Sequence, residues 1–262
     1  MSTIRIDQIV LEGELSVRAA IGGGRRNITE VLVDLDKKKK RDRKVLAFLS
    51  FLDEKNVKYT LLPRKELDEA VKNASEYAGN THGGIAAFAM TRQYLSLDAL
   101  FENVNPRDYF VCLDGIEDPY NLGYAIRSFY AMGAAGILLP ERDYTTLDAA
   151  MLRSSAGASD LCRIALMPKD DGESAAIIEK AGLDIVCSAK NKISVPLGDF
   201  SPTKPFVLFI GGEKRGISPT FMDKAKTVVH IPYANESVRY SLPAVSVCAM
   251  YASHLFGFAA GD

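Results

Sequence analysis

Six apolar runs in the second half of the chain, YFVCLDGI, AGILLP, LCRIALM, LDIVCSA, PFVLFIGG and TVVHIPY, show almost no alternation of apolar and polar residues. A strand that is apolar on both faces must be covered on both, and a parallel sheet sandwiched by helices does this. Helices are expected to start between them at Asn121, Thr146, Asp171 and Ser218, with a long one near Pro243. Proline suits a first helical position, where its missing N–H is not needed. The last segment, AVSVCAMYASHLFGFAA, is apolar almost all round and so needs cover on more than one side. The first half has another rhythm. ITEVLVDLD reads as a strand, KKKKRDRKVLAFLSFLDEKN as one helix, VKYTLLP as a strand, RKELDEAVKNA as a helix and GGIAAFAM as a small-residue strand. Strands alternating with helices of this length predict an α/β fold with parallel pairing. Pro106 ends SLDALFENVNPRD, which places a boundary near residue 105 and two domains, 1–105 and 106–262.

Composition narrows the function. No apolar run is long enough to cross a bilayer, and MSTIRIDQIVLEGELS has no signal-peptide core, so a cytoplasmic protein is expected. Cys112, Cys162, Cys187 and Cys248 are scattered through apolar segments, as reduced buried thiols would be. His82, His230 and His254 are far apart and show no metal-ligand spacing, so no metal is expected. The formal net charge is −1, which argues against wholesale nucleic-acid binding. The charge is uneven, however: residues 1–100 hold 17 Lys+Arg against 14 Asp+Glu, and residues 101–262 hold 15 against 19. A basic front end fits a local polyanion contact, and a solvated helix face would look the same. GGGRRN at 22–27 lacks the Gly-x-x-x-x-Gly-Lys-Ser/Thr pattern of a phosphate loop and reads as a mobile basic loop, with RNA contact by Arg25 and Arg26 left open. In KKKKRDRK at 37–44, lysines at a helix start would oppose the dipole, which makes Lys37, Lys38, Lys39 and Lys40 candidates for phosphate contact.

A dinucleotide fold needs Gly-x-Gly-x-x-Gly after its first strand, and the turn there is DGIEDPYNLG. The glycine-rich turn, IGGEKRG, comes after the fifth strand instead. Three stretches, LDGIEDPYNLGYAIRSFYAMGAAGILLP, FVLFIGGEKRGIS and VVHIPYANESVRYSLPAVSVCAMYA, together resemble the three motifs of the SpoU/TrmH RNA 2′-O-methyltransferases of the SPOUT superfamily. Asn121, Gly123 and Arg127 match Asn-x-Gly-x-x-x-Arg, after Asp118–Pro119; Gly211, Glu213 and Gly216 match Gly-x-Glu-x-x-Gly. The stretch from Ile28 to Leu100 resembles the ribosomal-protein-like substrate-binding domain often attached to that family. The third motif departs from the commoner Glu-Ser-Leu-Asn. One alignment places Ser237, Val238 and Arg239 there, the other Ser241, Leu242 and Pro243, and neither has the asparagine.

The resemblance implies a knotted α/β domain that binds S-adenosylmethionine and needs no metal. It implies backbone approach to the cofactor at Gly211 and Gly216, and apolar walls from Ile231, Leu242 and Ala244, with Pro232 shaping the turn. Arg127 would clamp a substrate phosphate or act as base, Asn121 and Glu213 would orient it, and Arg239 is the nearest stand-in for the missing amide. It further implies an RNA substrate, ribosomal or transfer, and a homodimer through the last helix and the helix after Asn121, with Tyr124, Phe129, Met250 or Phe256 between subunits. The missing asparagine leaves open a second class, a catalytically weak RNA-binding or ribosome-assembly factor.

Overall fold

The computed structural model describes residues 8–74, 82–212, 216–235 and 242–261. In chain order the first elements are β1 (Gln8–Glu12), α1 (Glu14–Gly23), β2 (Ile28–Asp34), α2 (Leu35–Lys39), α3 (Arg43–Glu54), β3 (Thr60–Leu62), α4 (Arg64–Ala74) and β4 (Ile85–Met90). Next come α5 (Leu97–Leu100), β5 (Tyr109–Asp114), α6 (Pro119–Ala131), β6 (Gly136–Pro140), α7 (Asp148–Ser154) and α8 (Ala158–Leu161). The chain continues through β7 (Ile164–Met167), α9 (Asp171–Lys180), β8 (Asp184–Ser188) and β9 (Val195–Pro196). It ends with β10 (Phe206–Gly211), α10 (Pro219–Lys224), β11 (Thr227–His230) and α11 (Ala244–Ala260).

Two compact units result: residues up to Gln93 with Tyr144–Leu161, and Tyr94–Asp143 with residues from Cys162 onward. The first break falls at Gln93, ahead of the boundary expected near residue 105. Leu97, Leu100 and Phe101 are buried in a core of the second unit, which draws the preceding segment into it. A second correction is that α7 and α8 fold with the first unit, where Leu152 joins Leu11, Val17, Val31 and Phe48 in the core.

The first unit has a four-stranded sheet in the order β1-β4-β2-β3. Only β2 and β3 pair in parallel; β4 runs antiparallel to both β1 and β2, so the all-parallel expectation is corrected. Ala86, Ala87 and Ala89 are buried and make β4 narrow, which suits the middle of the sheet. The single helix expected from Lys37 is two. Asp34 caps α2 by accepting from the Lys37 N–H, Arg41 takes a left-handed φ of 56°, and Asp42 caps α3 through the Lys44 and Val45 N–H groups. The lysines therefore occupy the last turn of α2, where positive charge is favourable and implies no functional use by itself.

The second unit carries a seven-stranded sheet among its described residues, in the order β7-β6-β5-β10-β8-β11-β9, with every pair parallel. Its strands are buried on both faces, as their unbroken apolar character requires. Asp118 caps α6 by accepting from the Asn121 N–H at 2.8 Å, and Pro119 opens its first turn. α11 packs on α6 and is tied to β11 by the Tyr251 hydroxyl, which donates to the Val229 carbonyl at 2.8 Å. Burial pushes the Tyr251 phenol up to about 12, so it stays protonated and able to donate. Among the described residues no helix is long and apolar enough to cross a membrane.

Candidate functional site

A cleft of about 390 Å³ opens where β8, β10 and β11 end at the C-terminal edge of the parallel sheet. This edge is where open α/β sheets place their ligands, because side chains and loop ends there are not used up by the sheet. Ser188, Ala189 and Lys190 come from the end of β8, and Ile210, Gly211, Gly212, Gly216 and Ile217 from the loop after β10. His230, Ile231 and Tyr233 follow β11, while Leu242, Ala244 and Val247 lead into α11.

Backbone packing shapes this cleft. A Cβ at Gly211 would lie 3.0 Å from the Gly216 carbonyl carbon and from the Ile217 nitrogen, so the loop after β10 folds tightly back on itself. A Cβ at Gly212 would overlap the Gly115 carbonyl, which brings the loop after β10 against the loop after β5. Gly216 is different: a Cβ there meets nothing within 4 Å, so its backbone borders open space in the cleft rather than another described loop. His230 leaves its Nδ1 buried with no hydrogen-bond partner. An unpartnered buried polar atom costs about 1–3 kcal/mol, so a ligand that supplies a partner gains it back.

Of the residues expected to hold a cofactor, Gly211, Gly216, Ile231, Leu242 and Ala244 line the cleft. Pro232 is exposed and does not. Glu213 and Arg239 lie outside the described residues. Asn121 and Arg127 are absent from the lining. Arg127 is exposed on the third turn of α6, and among the described residues it has no hydrogen-bond or ion-pair partner. Tyr120 and Tyr124, also exposed, lie on the same helix face at spacings of four and three residues. Sequence reasoning missed Ser188, Lys190, Gly212, His230 and Tyr233. His230 and Tyr233 flank the Ile231–Pro232 pair it did select, so position alone was the available signal.

In the first unit the two arginines part ways. Arg26 is buried, with its guanidinium forked onto two carboxylates: Nε and Nη2 donate to Asp160 at 2.6 Å each, and Nη1 and Nη2 to Asp148 at 2.7 and 3.0 Å. Burial alone would lower its pKa, but the bonds and charges of Asp148 and Asp160 raise it instead. The RNA contact expected of Arg26 is thus corrected: the side chain is consumed in holding α7 and α8 to the strand that follows it. Arg25 is half-buried, and its Nε has no partner. GGGRRN closes a helix rather than opening one, since Gly24 is the left-handed C-cap of α1 at φ 60°, so it offers no anion-binding helix start. Lys37 donates through Nζ to the Gly83 carbonyl at 2.7 Å, whereas Lys39 and Lys40 are exposed.

The sequence profile of the SpoU rRNA Methylase family matches residues 108–242, just over half of the chain. The chain belongs to the SpoU rRNA methylase family. Among its relatives, YacO of Bacillus subtilis (strain 168), assigned to the TrmH family of tRNA/rRNA methyltransferases, is 27% identical over 72% of this chain and 74% of its own. A Staphylococcus haemolyticus protein of the same assignment is 25% identical over 87% of each chain. The SpoU methyltransferase AviRb of Streptomyces viridochromogenes, solved with AdoMet, superimposes with a TM-score of 0.75 at 19% identity, covering 98% of this chain and 92% of its own. An RNA 2′-O ribose methyltransferase superimposes with a TM-score of 0.70 at 19% identity, covering 95% and 88%. Within the SpoU family fold seen here, the cleft takes its glycine backbone from the second motif and its apolar wall from the third, while the first motif supplies α6.

Proposed function

We propose that the chain is an S-adenosylmethionine-dependent RNA methyltransferase acting on a ribose 2′-OH, with ribosomal RNA as its substrate class. The cleft carries this reading. Its volume of about 390 Å³ lies within the range of small-ligand pockets, about 300–1,000 Å³. Its walls are backbone at Gly211 and Gly212 and apolar at Ile210, Ile231, Leu242 and Val247, which fits a flat, nearly neutral adenine held by main-chain groups. His230 adds an unsatisfied nitrogen. The residues present fit the cofactor.

S-adenosylmethionine, when bound, supplies a methyl group made electrophilic by its sulfonium. The protein must then align a ribose hydroxyl and stabilise the charge that develops on it. Arg127 is suited to this, because its guanidinium offers a planar fork of N–H donors, is exposed and has no described partner, so a substrate phosphate can take it up. Asn121, whose side chain has no described hydrogen-bond partner, would orient the phosphate or Arg127, and the resemblance gives Glu213 the same role and Arg239 the part of the missing amide. The exposed lysines of α2 and Arg25 would hold the RNA at the first unit. The position of β10 between β5 and β8 supports the knotted path that the resemblance implies.

The separation of Arg127 from its own cleft supports a homodimer. Tyr120, Tyr124 and Arg127 share the exposed face of α6, and Met250 and Phe256 are exposed on α11, so pairing through these helices would cover apolar surface and bring Arg127 to a partner's cleft. Phe129 is fully buried inside the subunit and takes no part, which corrects its expected place between subunits.

Methyl transfer from labelled S-adenosylmethionine to unmodified ribosomal and transfer RNA, with the product nucleoside identified, tests the proposal. A 2′-O-methylated nucleoside from ribosomal RNA is the expected result. Pro243, which stands at the asparagine position in one of the two alignments of the third motif, favours the second reading of a weak or inactive RNA-binding factor; tight RNA binding with no transfer to any RNA would establish that instead.

A further inference from the structure

Pro243 is the N-cap of α11 and has no side-chain oxygen to offer that helix start. A hydroxyl from the preceding loop instead reaches the residue just before that N-cap. The Tyr233 hydroxyl accepts a hydrogen bond from the Leu242 N–H at 3.1 Å, across nine residues of chain. Tyr233 and Leu242 both line the cleft, and Ala244 and Val247 continue its wall along the first two turns of α11. This one bond therefore closes the connection between β11 and α11 at its mouth. It joins two residues that would otherwise be coupled only through the intervening backbone, and closing such a loop costs entropy whichever group does it.

We infer that Tyr233 is a positioning residue for the cofactor: its hydroxyl holds Leu242, and with it the entry to α11, against the cleft. The inference rests on the methyltransferase reading above. The ring of Tyr233 supplies part of the wall, and the hydroxyl fixes where that wall meets the helix.

Tyr233→Phe keeps the ring and removes the hydroxyl. Calorimetric titration of the full-length protein with S-adenosylmethionine should show affinity weakened about threefold to tenfold, the effect of one net hydrogen bond. Turnover at saturating cofactor should stay within about twofold of the parent, since the hydroxyl does not touch the reacting atoms. Because the bond is present without ligand, the ligand-free thermal midpoint should also fall, by about 2–4 °C. Unchanged affinity in Tyr233→Phe overturns the inference. So does lost turnover at saturation with affinity intact. If the parent itself does not bind S-adenosylmethionine, the methyltransferase reading falls first, and no variant is needed to see it.

Discussion

Arg26 and Arg127 show how far identity alone misleads about a residue. Both are arginines in glycine-bearing stretches, yet the Arg26 side chain has 0% exposure, with Asp148 at 2% and Asp160 at 0%, whereas Arg127 is open to solvent. Nothing near Arg26 in sequence announces its partners, which lie 122 and 134 residues away. Arg26→Ala would leave two buried carboxylates without their cation, a change that costs about 3–5 kcal/mol. Urea unfolding should show that loss in the first unit, while the salt dependence of RNA binding stays at the parental slope; an altered slope with intact stability would return Arg26 to the RNA. The glycines divide in the same way. Gly212→Ala forces a methyl into the Gly115 carbonyl and should weaken S-adenosylmethionine binding by more than about tenfold. Gly216→Ala meets open space and should bind within about twofold of the parent, and calorimetry on the pair separates the steric glycine from the permissive one. The motif spacing made Gly211 and Gly216 legible but could not say which of the neighbouring glycines is pressed by another loop.

At the scale of elements, the continuous apolar runs placed all of β5, β6, β7, β8, β10 and β11, because a doubly covered strand leaves a pattern that no other element leaves. β9, two residues long, leaves none. The first unit was less legible. β1 and α1 fall where a charged amphipathic start gave no period, and the antiparallel placement of β4 depends on which strands it meets, which its own sequence does not encode. The lysine run reads as the start of one helix, and only the structure shows two N-caps, Asp34 and Asp42, the first starting a helix of five residues that ends before the second. That division revises what the lysines can do. Lys37 is engaged with Gly83, so Lys39 and Lys40 are the exposed charges at the end of α2. Replacing both with Gln should weaken RNA binding and reduce the salt slope by about two, one for each lost phosphate contact. A slope equal to the parent's would mean that α2 is only a solvated surface.

At the scale of the molecule, two features of the second unit need a common explanation. Its cleft is lined by residues from β8, β10, β11 and α11, yet the guanidinium that the family motif assigns to it stands on α6, outside the lining and without a described partner. The apolar surface of Tyr120, Tyr124, Met250 and Phe256 on α6 and α11 is also left uncovered. The proposed homodimer through these helices would answer both, because a two-fold contact uses the same patch twice and would carry each Arg127 toward the other subunit. Light scattering at micromolar concentration should then give twice the chain mass of 28.6 kDa. A sharper consequence concerns function. Arg127→Ala has a sound cleft but lacks the arginine; Gly212→Val has the arginine but a blocked cleft. Each should be inactive alone. After co-refolding in equal amounts, half the dimers would be mixed, and each mixed dimer would hold one complete site. Methyl transfer should therefore return to about a quarter of the parental rate. If Arg127 serves the cleft of its own chain, no mixed dimer contains a complete site, and the mixture stays as inactive as its parts.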